Sequence, residues 1–492
     1  MVKQEIGLVD VSMRDGNQSL WGATGLSTPQ MLQIAGQIDR VGFRAIDFTA
    51  SSHMAVAVRY FKENPWERIR RVRAVMPRTP LQFITTGLRF IAWQEMDDEL
   101  MRLVYRQLQV CGIRRFAVMD PMHDLVAILT SSRMIKEEGG AEVMAALTFT
   151  LSDVHTDRYY ATCATKLAAS PHIDLFYIKD PSGLLSPERA RTLIPAVQAA
   201  IGAKSLEVHS HCTIGFGALS AVAAAEAGAS AIHVGVGVLG NGTSLPEAER
   251  AVANLRALGF SVPVDDKALR RVATYWRNLA VAESLPQGKP REFDATFLRH
   301  QIAGGVMTTM ERQLAEVGLA HRLADVIEET ERVRAELGQP IMVTPFPQMV
   351  CSQALFNIIG GRRYAQVSDQ VIRYVMGRFG RPTRPVDPAV EAVILDRARA
   401  KEIEAEPLRL TLAEMRQRFG ALPPEDLLLR AVMPGDQLDA MYAEPPFGSR
   451  YVPALSPILA LIRELAARPD AKDLVVERPG FRLALHRGGA LV

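Results

Sequence analysis

The first 260 residues repeat one beat, and that beat constrains the fold more than anything else in the chain. Each unit is a short β-branched or apolar run, a loop, and then a longer amphipathic stretch. The runs are Gly7 to Val11, Arg44 to Phe48, Leu81 to Thr86, Arg114 to Met119, Val143 to Thr150, Ile173 to Ile178, Leu206 to His209 and Ala231 to Val236. Between them, segments such as Pro29 to Val41, Asp97 to Gly112 and Pro187 to Ile201 carry apolar residues at helical spacing. Eight alternating units over about 250 residues predict a (β/α)8 TIM barrel. A doubly wound open sheet fits less well, because no glycine-rich dinucleotide fingerprint follows the first run.

After about Val264 the beat stops and helical spacing takes over, at Asp265 to Ser284, Thr309 to Gly318, Arg322 to Leu337, Met349 to Ile359 and Ser368 to Phe379. The proline-rich stretch from Arg381 to Asp387 reads as a linker or sharp turn. A charged helix is expected from Pro388 to Glu406, and a hairpin in the tail around Pro479 and Gly480. The expected organisation is a barrel over 1–263, a helical domain over 264–385, and a C-terminal helical segment with a small hairpin tail over 386–492.

With 48% hydrophobic and 23% charged residues the chain has the composition of an ordinary globular protein. A net charge of +3 on 492 residues argues against nucleic acid or an anionic membrane as the main partner. No apolar run reaches the roughly 20 residues of a membrane-spanning helix, and the start, MVKQEIGLVDVSMRDG, carries no secretory signature. The cysteines Cys111, Cys163, Cys212 and Cys351 are far apart and form no C-x-x-C pair. That argues against a disulfide framework or a structural zinc cluster and fits a reducing cytoplasm.

In such a barrel the chemistry sits at the carboxyl ends of the strands. The first strand runs into VSMRDGNQS, where Asp15 reads either as a turn residue before Gly16 or as a mouth carboxylate. The sixth ends in YIKDPSGLL. Lys179 there is either half of an ion pair with Asp180 or a neutral amine able to take up carbon dioxide as a carbamate. The seventh ends in VHSHCTIG, and His209 and His211, two apart on an extended strand, face one side. An H-x-H pair so placed reads as a metal site. Asp15, Lys179, His209 and His211 together make a mixed nitrogen and oxygen set suited to Zn²⁺, Mn²⁺ or Co²⁺.

These motifs resemble the carboxyltransferase domain shared by pyruvate carboxylase, the oxaloacetate decarboxylase alpha subunit and the transcarboxylase 5S subunit. MRDGNQS from Met13 is similar to that family's FRDAHQS, IKDPSGLL from Ile178 to its IKDMAGLL, and HSHCTIG from His209 to its HTHDTSG. Farther along, HQIAGGVMTTMERQL from His300 resembles HQIPGGMYSNLVSQL, and VTPFPQMVCSQALFNII from Val343 resembles VTPTSQIVGTQAVFNVL. The likeness runs from about residue 5 to 440. It implies a carboxyl group moved between carboxybiotin and the enolate of a small carbonyl acceptor, in either direction. It also implies that the helical domain completes the site. By the same resemblance Asp15, Lys179 as its carbamate, His209 and His211 hold the metal, Gln18 contacts the acceptor's oxygen, and Arg14 is an active-site arginine. Thr308 would pass a proton between biotin and the enolate, although a threonine at a helix start also reads as an N-cap.

The departures concern the acceptor. Where the family has LLRGANAVGY this chain has ITTGLRFIAW from Ile84, so Thr86 replaces a carboxylate-gripping arginine and Trp93 replaces a tyrosine. Arg89 lies nearby, and TASS from Thr49 replaces WGGA, leaving Asp47 and His53 as the neighbouring polar groups. The acceptor is therefore expected to differ from pyruvate. No biotin-attachment A-M-K-M sequence and no ATP-grasp region occur. Separate biotin carboxylase and biotin carboxyl carrier subunits are expected, in a homodimer or larger hetero-oligomer. Metal-dependent aldol or Claisen enzymes of the hydroxymethylglutaryl-CoA lyase type share the barrel, the RDG start and the H-x-H pair. They lack a metal-binding lysine in an IKD motif and the downstream segments. A non-catalytic scaffold subunit would not need the four candidate ligands.

Overall fold

The computed structural model describes residues 4–302, 304–316, 318–445, 473–478 and 481–486. Eight parallel strands close into one barrel. They are β1 (Gly7–Asp10), β2 (Ala45–Ala50), β3 (Leu81–Thr86), β4 (Ile113–Met119), β5 (Glu142–Thr148), β6 (Leu175–Asp180), β7 (Ser205–Ser210) and β8 (Ala231–Val234). The pairing of Gly7 with Ala231 joins the last strand to the first. Every expected run overlaps one of these strands, with the ends displaced by a residue or two.

Alternation divides each strand between two environments. On β6, Phe176 and Ile178 join the apolar layer under the outer helices, whereas Leu175 and Tyr177 point inward with Ile84, Ala117, Met119 and Met144. Lys179 is the next inward position, at the mouth. The outer helices start where their sequences cap them. Asp97 accepts from Leu100 N, Asp124 from Val126 N and Ala127 N, and Ser186 from Arg189 N, so each satisfies amides the first turn leaves free.

Beyond the barrel, the helix Asp266–Ala282 lies along Thr28–Val41, and Tyr275 Oη donates to Gln30 O at 2.7 Å. A second core gathers Val326, Val333 and Leu337 against Phe346, Met349 and Val350, with Met122 reaching in from the loop after β4. The single helix expected from Pro388 to Glu406 is two, Pro388–Leu395 and Ala398–Glu404. Arg397 between them is extended, and its guanidinium donates to the carbonyls of Val393, Tyr364 and Ala365, which draws the chain off the helix axis.

Residues 409–443 return to the barrel. Arg409–Leu410 pairs with Glu95–Met96, and the helices after it place Leu427, Leu428 and Leu438 in the barrel's own apolar layer. In the tail, Asp473–Arg478 pairs antiparallel with Phe481–His486. Among the described residues no helix is long and apolar enough to cross a membrane.

Candidate metal centre at the barrel mouth

Three strand ends build the site. After β1, Asp10 Oδ1 accepts from Ser12 N at 2.8 Å and the chain enters a π-helical turn, Ser12–Gly16, a conformation that recurs at functional positions. A side chain at Gly16 would meet Leu239 O at 2.9 Å, so only glycine lets this turn sit so close to the segment after β8. The turn points Asp15 into the mouth. Arg14 holds it from behind: Arg14 Nη2 lies 3.0 Å from Asp15 Oδ2, and Arg14 Nε donates to Asp47 Oδ2 at 2.8 Å.

On β6 the Lys–Asp pair divides. Asp180 faces away from the mouth and accepts from Leu184 N, Leu185 N and Ser210 Oγ at 2.7–2.9 Å, tying the following loop to β7. Lys179 turns inward, 3.7 Å from Asp15 Oδ2 and 3.3 Å from His209 Nε2, and so does not pair with Asp180. Gly183 has φ +75°, and a Cβ there would lie 2.6 Å from His211 O, so this close approach requires glycine.

The two histidines converge on the same point. His209 Nε2 is 3.0 Å and His211 Nε2 3.4 Å from Asp15 Oδ2, and the two Nε2 atoms are 3.3 Å apart. His211 Nδ1 donates to Thr243 O at 2.7 Å, which leaves its Nε2 as the lone-pair nitrogen. Donors 2.0–2.2 Å from a first-row metal ion stand roughly 3.0–3.5 Å from one another at tetrahedral or octahedral angles. The three separations fall in that range, so the donor set fits a metal ion by both chemistry and spacing. Among the described residues, Asp15, His209 and His211 are the one group of three or more carboxylate, thiol or imidazole side chains so gathered.

Charge favours ligand forms. Burial alone would raise the Asp15 carboxyl, but Arg14 and the histidines hold it well below the usual range. Burial, with Arg14 beside it, pushes Lys179 down to about 8. Burial, aided by the Lys179 charge, drives His209 well below its ordinary value, keeping the imidazole neutral.

The site opens into a cavity of about 1010 Å³ between the mouth and the second core. Gln18, Thr86, Arg89 and Trp93 all line it. Gln18 is exposed to it. Arg89 is engaged elsewhere: it donates to Trp93 O at 3.1 Å, Glu95 at 2.9 Å and Arg378 O at 3.1 Å. Trp93 packs edge-on against Phe379. Asp47 sits one layer deeper, fully buried, and reaches the cavity only through Arg14. His53 Nε2 donates to Arg14 O at 3.0 Å. Thr308 belongs to the helix Gly304–Glu316, whose Val306 and Met310 line the cavity, but its side chain lies outside the described residues. Sequence reasoning missed the contribution of Met342, Val343 and Pro347 to the cavity wall, and the carbonyl of Thr243, which no side-chain pattern could have signalled.

Comparison with known proteins agrees with this architecture. Residues 297–453 match the conserved carboxylase domain, and residues 119–275 match the HMGL-like domain. A pyruvate carboxylase subunit of Methanocaldococcus jannaschii is 31% identical over 392 residues, covering 80% of this chain and 68% of the relative. The 2-oxoglutarate carboxylase large subunit of Hydrogenobacter thermophilus is 30% identical, covering 80% of this chain and 60% of the relative. The methylmalonyl-CoA carboxyltransferase 5S subunit of Propionibacterium freudenreichii is 26% identical, covering 86% and 81%. The carboxyl transferase domain of Rhizobium etli pyruvate carboxylase with pyruvate superposes with a TM-score of 0.81 at 22% identity, covering 98% of this chain and 83% of that one. At that identity the structure speaks for the fold alone.

Proposed function

The chain belongs to the biotin-dependent carboxyltransferase family, and on that premise we propose that its barrel mouth exchanges a carboxyl group between carboxybiotin and a small carbonyl acceptor other than pyruvate. The observation that carries the reading is the knot of Asp15, Lys179, His209 and His211 at the floor of one cavity.

Asp15, His209 and His211 would hold Zn²⁺, Mn²⁺ or Co²⁺, with Lys179 as the fourth ligand. A divalent ion bound there supplies a Lewis acid for the acceptor's carbonyl oxygen, which acidifies the neighbouring C–H. The neutral Lys179 amine attacks carbon dioxide, forms an N–C bond and loses one proton, which yields an anionic carbamate oxygen. Arg14, paired with Asp47, keeps Asp15 ionised and fixed. Gln18, exposed in the cavity, is the group proposed to contact the acceptor's oxygen, by resemblance to the family's glutamine. When carboxybiotin releases carbon dioxide, its ureido nitrogen gains a proton and the acceptor's carbon loses one. Thr308, on the helix over the cavity, is the group proposed to carry it, by resemblance alone.

The acceptor follows from the walls. Among the described residues the arginines that face the cavity are engaged, Arg14 with Asp15 and Asp47 and Arg89 with Glu95 and two carbonyls, and Lys179 belongs to the metal knot. The remaining wall includes Ile84, Trp93, Met119, Met342 and Pro347. That apolar stretch, set among neutral polar groups such as Thr86 and Gln348, suits an acceptor whose far end is uncharged, since a carboxylate desolvated there would meet no free cation among the described residues. The biotin and the biotin carboxylase would come from separate subunits. The HMGL-like match falls on the barrel that lyases share, whereas Lys179 in the knot and the conserved carboxylase domain favour carboxyl transfer.

The test is transfer of ¹³C from carboxybiotin to a panel of ketones and 2-oxo acids. An uncharged or larger acceptor should outrun pyruvate, and Asp15→Asn should abolish transfer to all. Pyruvate as the best acceptor would refute the specificity, and full activity of Asp15→Asn would refute the site.

A further inference from the structure

Below the knot a line of buried polar groups descends the barrel axis, and the proposed reaction does not use it. His209 Nδ1 lies 3.1 Å from His233 Nδ1 on β8. His233 Nε2 is 3.0 Å from Glu207 Oε2 on β7. The same carboxylate accepts from Arg115 Nη2 at 2.6 Å, and Arg44 Nε stands 2.7 Å from its other oxygen. His233, Glu207 and Arg115 are wholly buried. Tyr177 stacks on His233, rings 5.7 Å apart and 11° from parallel, so the imidazole is fixed in plane as well as at both nitrogens.

This arrangement dictates proton positions. Two nitrogens 3.1 Å apart form a hydrogen bond only if one carries hydrogen and the other a lone pair. A neutral His209 that gives its Nε2 lone pair to a metal must carry hydrogen on Nδ1 and donate it to His233. His233 Nδ1 then accepts, so its own hydrogen is on Nε2, facing the anionic Glu207. The carboxylate at the bottom of the line thus selects the tautomer at the top. Without His233, His209 could place its hydrogen on Nε2 and donate to Asp15, 3.0 Å away, which would block the metal face.

We propose that His233 and Glu207 are positioning residues that lock His209 in its metal-binding tautomer and orientation. The inference rests on the reading of the knot as a metal centre. Groups that orient a ligating histidine in this way typically account for about 10–100-fold in metal affinity.

The experiment is Zn²⁺ titration of chelator-stripped full-length protein against a competing chromophoric chelator, with folding verified by circular dichroism. Four variants are compared: His233→Leu, His233→Asn, Glu207→Gln and Asp15→Asn. His233→Leu should bind about 10–100-fold more weakly. His233→Asn, whose amide oxygen can still accept from His209 Nδ1, should recover most of that loss. Glu207→Gln, which removes the anion, should fall between them. Equal binding by wild type and His233→Leu, or an equal defect in the Leu and Asn variants, would overturn the proposal. If His233→Leu fails to fold, affinity unchanged in Glu207→Gln overturns it. Asp15→Asn separates the two readings: wild-type affinity in that variant means the metal centre itself is wrong, whereas weak binding there with tight binding in His233→Leu faults only the relay.

Discussion

Metal affinity in this protein should depend on carbon dioxide. With Lys179 carbamylated, a divalent ion in the knot meets two negative charges, from the carbamate and Asp15, while Arg14 is also balanced by Asp47. With carbon dioxide removed, position 179 offers only an amine, 3.3 Å from His209 Nε2. An ammonium there, even if it drew back to roughly 4 Å from the ion, would meet a repulsion of about 8 kcal/mol at an effective dielectric near 20. It deprotonates instead, which from about 8 costs about 1.4 kcal/mol at pH 7. The neutral amine then replaces an anionic ligand. Since a four-ligand zinc site is worth about 10–16 kcal/mol in all, downgrading one ligand costs about 2 kcal/mol. The sum of about 3–4 kcal/mol is roughly 10²–10³-fold in affinity. The assay is metal titration of stripped protein in CO2-free buffer and again with bicarbonate at the same pH. Lys179→Met should bind at the CO2-free level and ignore bicarbonate. Identical isotherms with and without bicarbonate for the wild type would refute the argument.

Thr86→Arg, placing a guanidinium on the cavity wall, should raise kcat/KM for pyruvate at least tenfold, since a charge-assisted bond to a carboxylate is worth about 1.5–3 kcal/mol; no gain would mean the wall does not set the preference. Glu207→Ala leaves Arg115 buried without its closest carboxylate and should cost about 3–5 kcal/mol, read as a lower urea midpoint. At fixed carbon dioxide pressure the ¹³C carbamate signal should strengthen as pH rises through about 8, because the depressed Lys179 is cationic below that value and nucleophilic above it. The four cysteines are buried, and burial pushes Cys111 to about 11 and Cys212 and Cys351 to about 12, so maleimide should label none in the native protein at neutral pH and all four in urea.

The eightfold beat made the barrel legible because parallel strands buried on both faces must be short apolar runs, and the segments between them must present one apolar stripe. The convergence of Asp15, Lys179, His209 and His211 was legible because strand-end position alone aims these side chains at one point. What the sequence hid depends on contacts between segments far apart in the chain. Arg89 looked free to meet a substrate, but Glu95 and Arg378 O claim it. The expected helix from Pro388 breaks because Arg397 finds carbonyls at Tyr364 and Ala365. His233 read as one apolar-run residue among others, because its contacts with His209 and Glu207 exist only once β7 and β8 pair in the register that sets Glu207 against Ala231.

The most direct test is anomalous diffraction at the absorption edge of the bound metal, from crystals grown with that metal and bicarbonate. A single peak roughly 2.0–2.3 Å from Asp15, His209 Nε2 and His211 Nε2, with planar density extending Lys179 toward it, is the predicted result. A bare amine at Lys179 with no peak among those side chains would contradict the account.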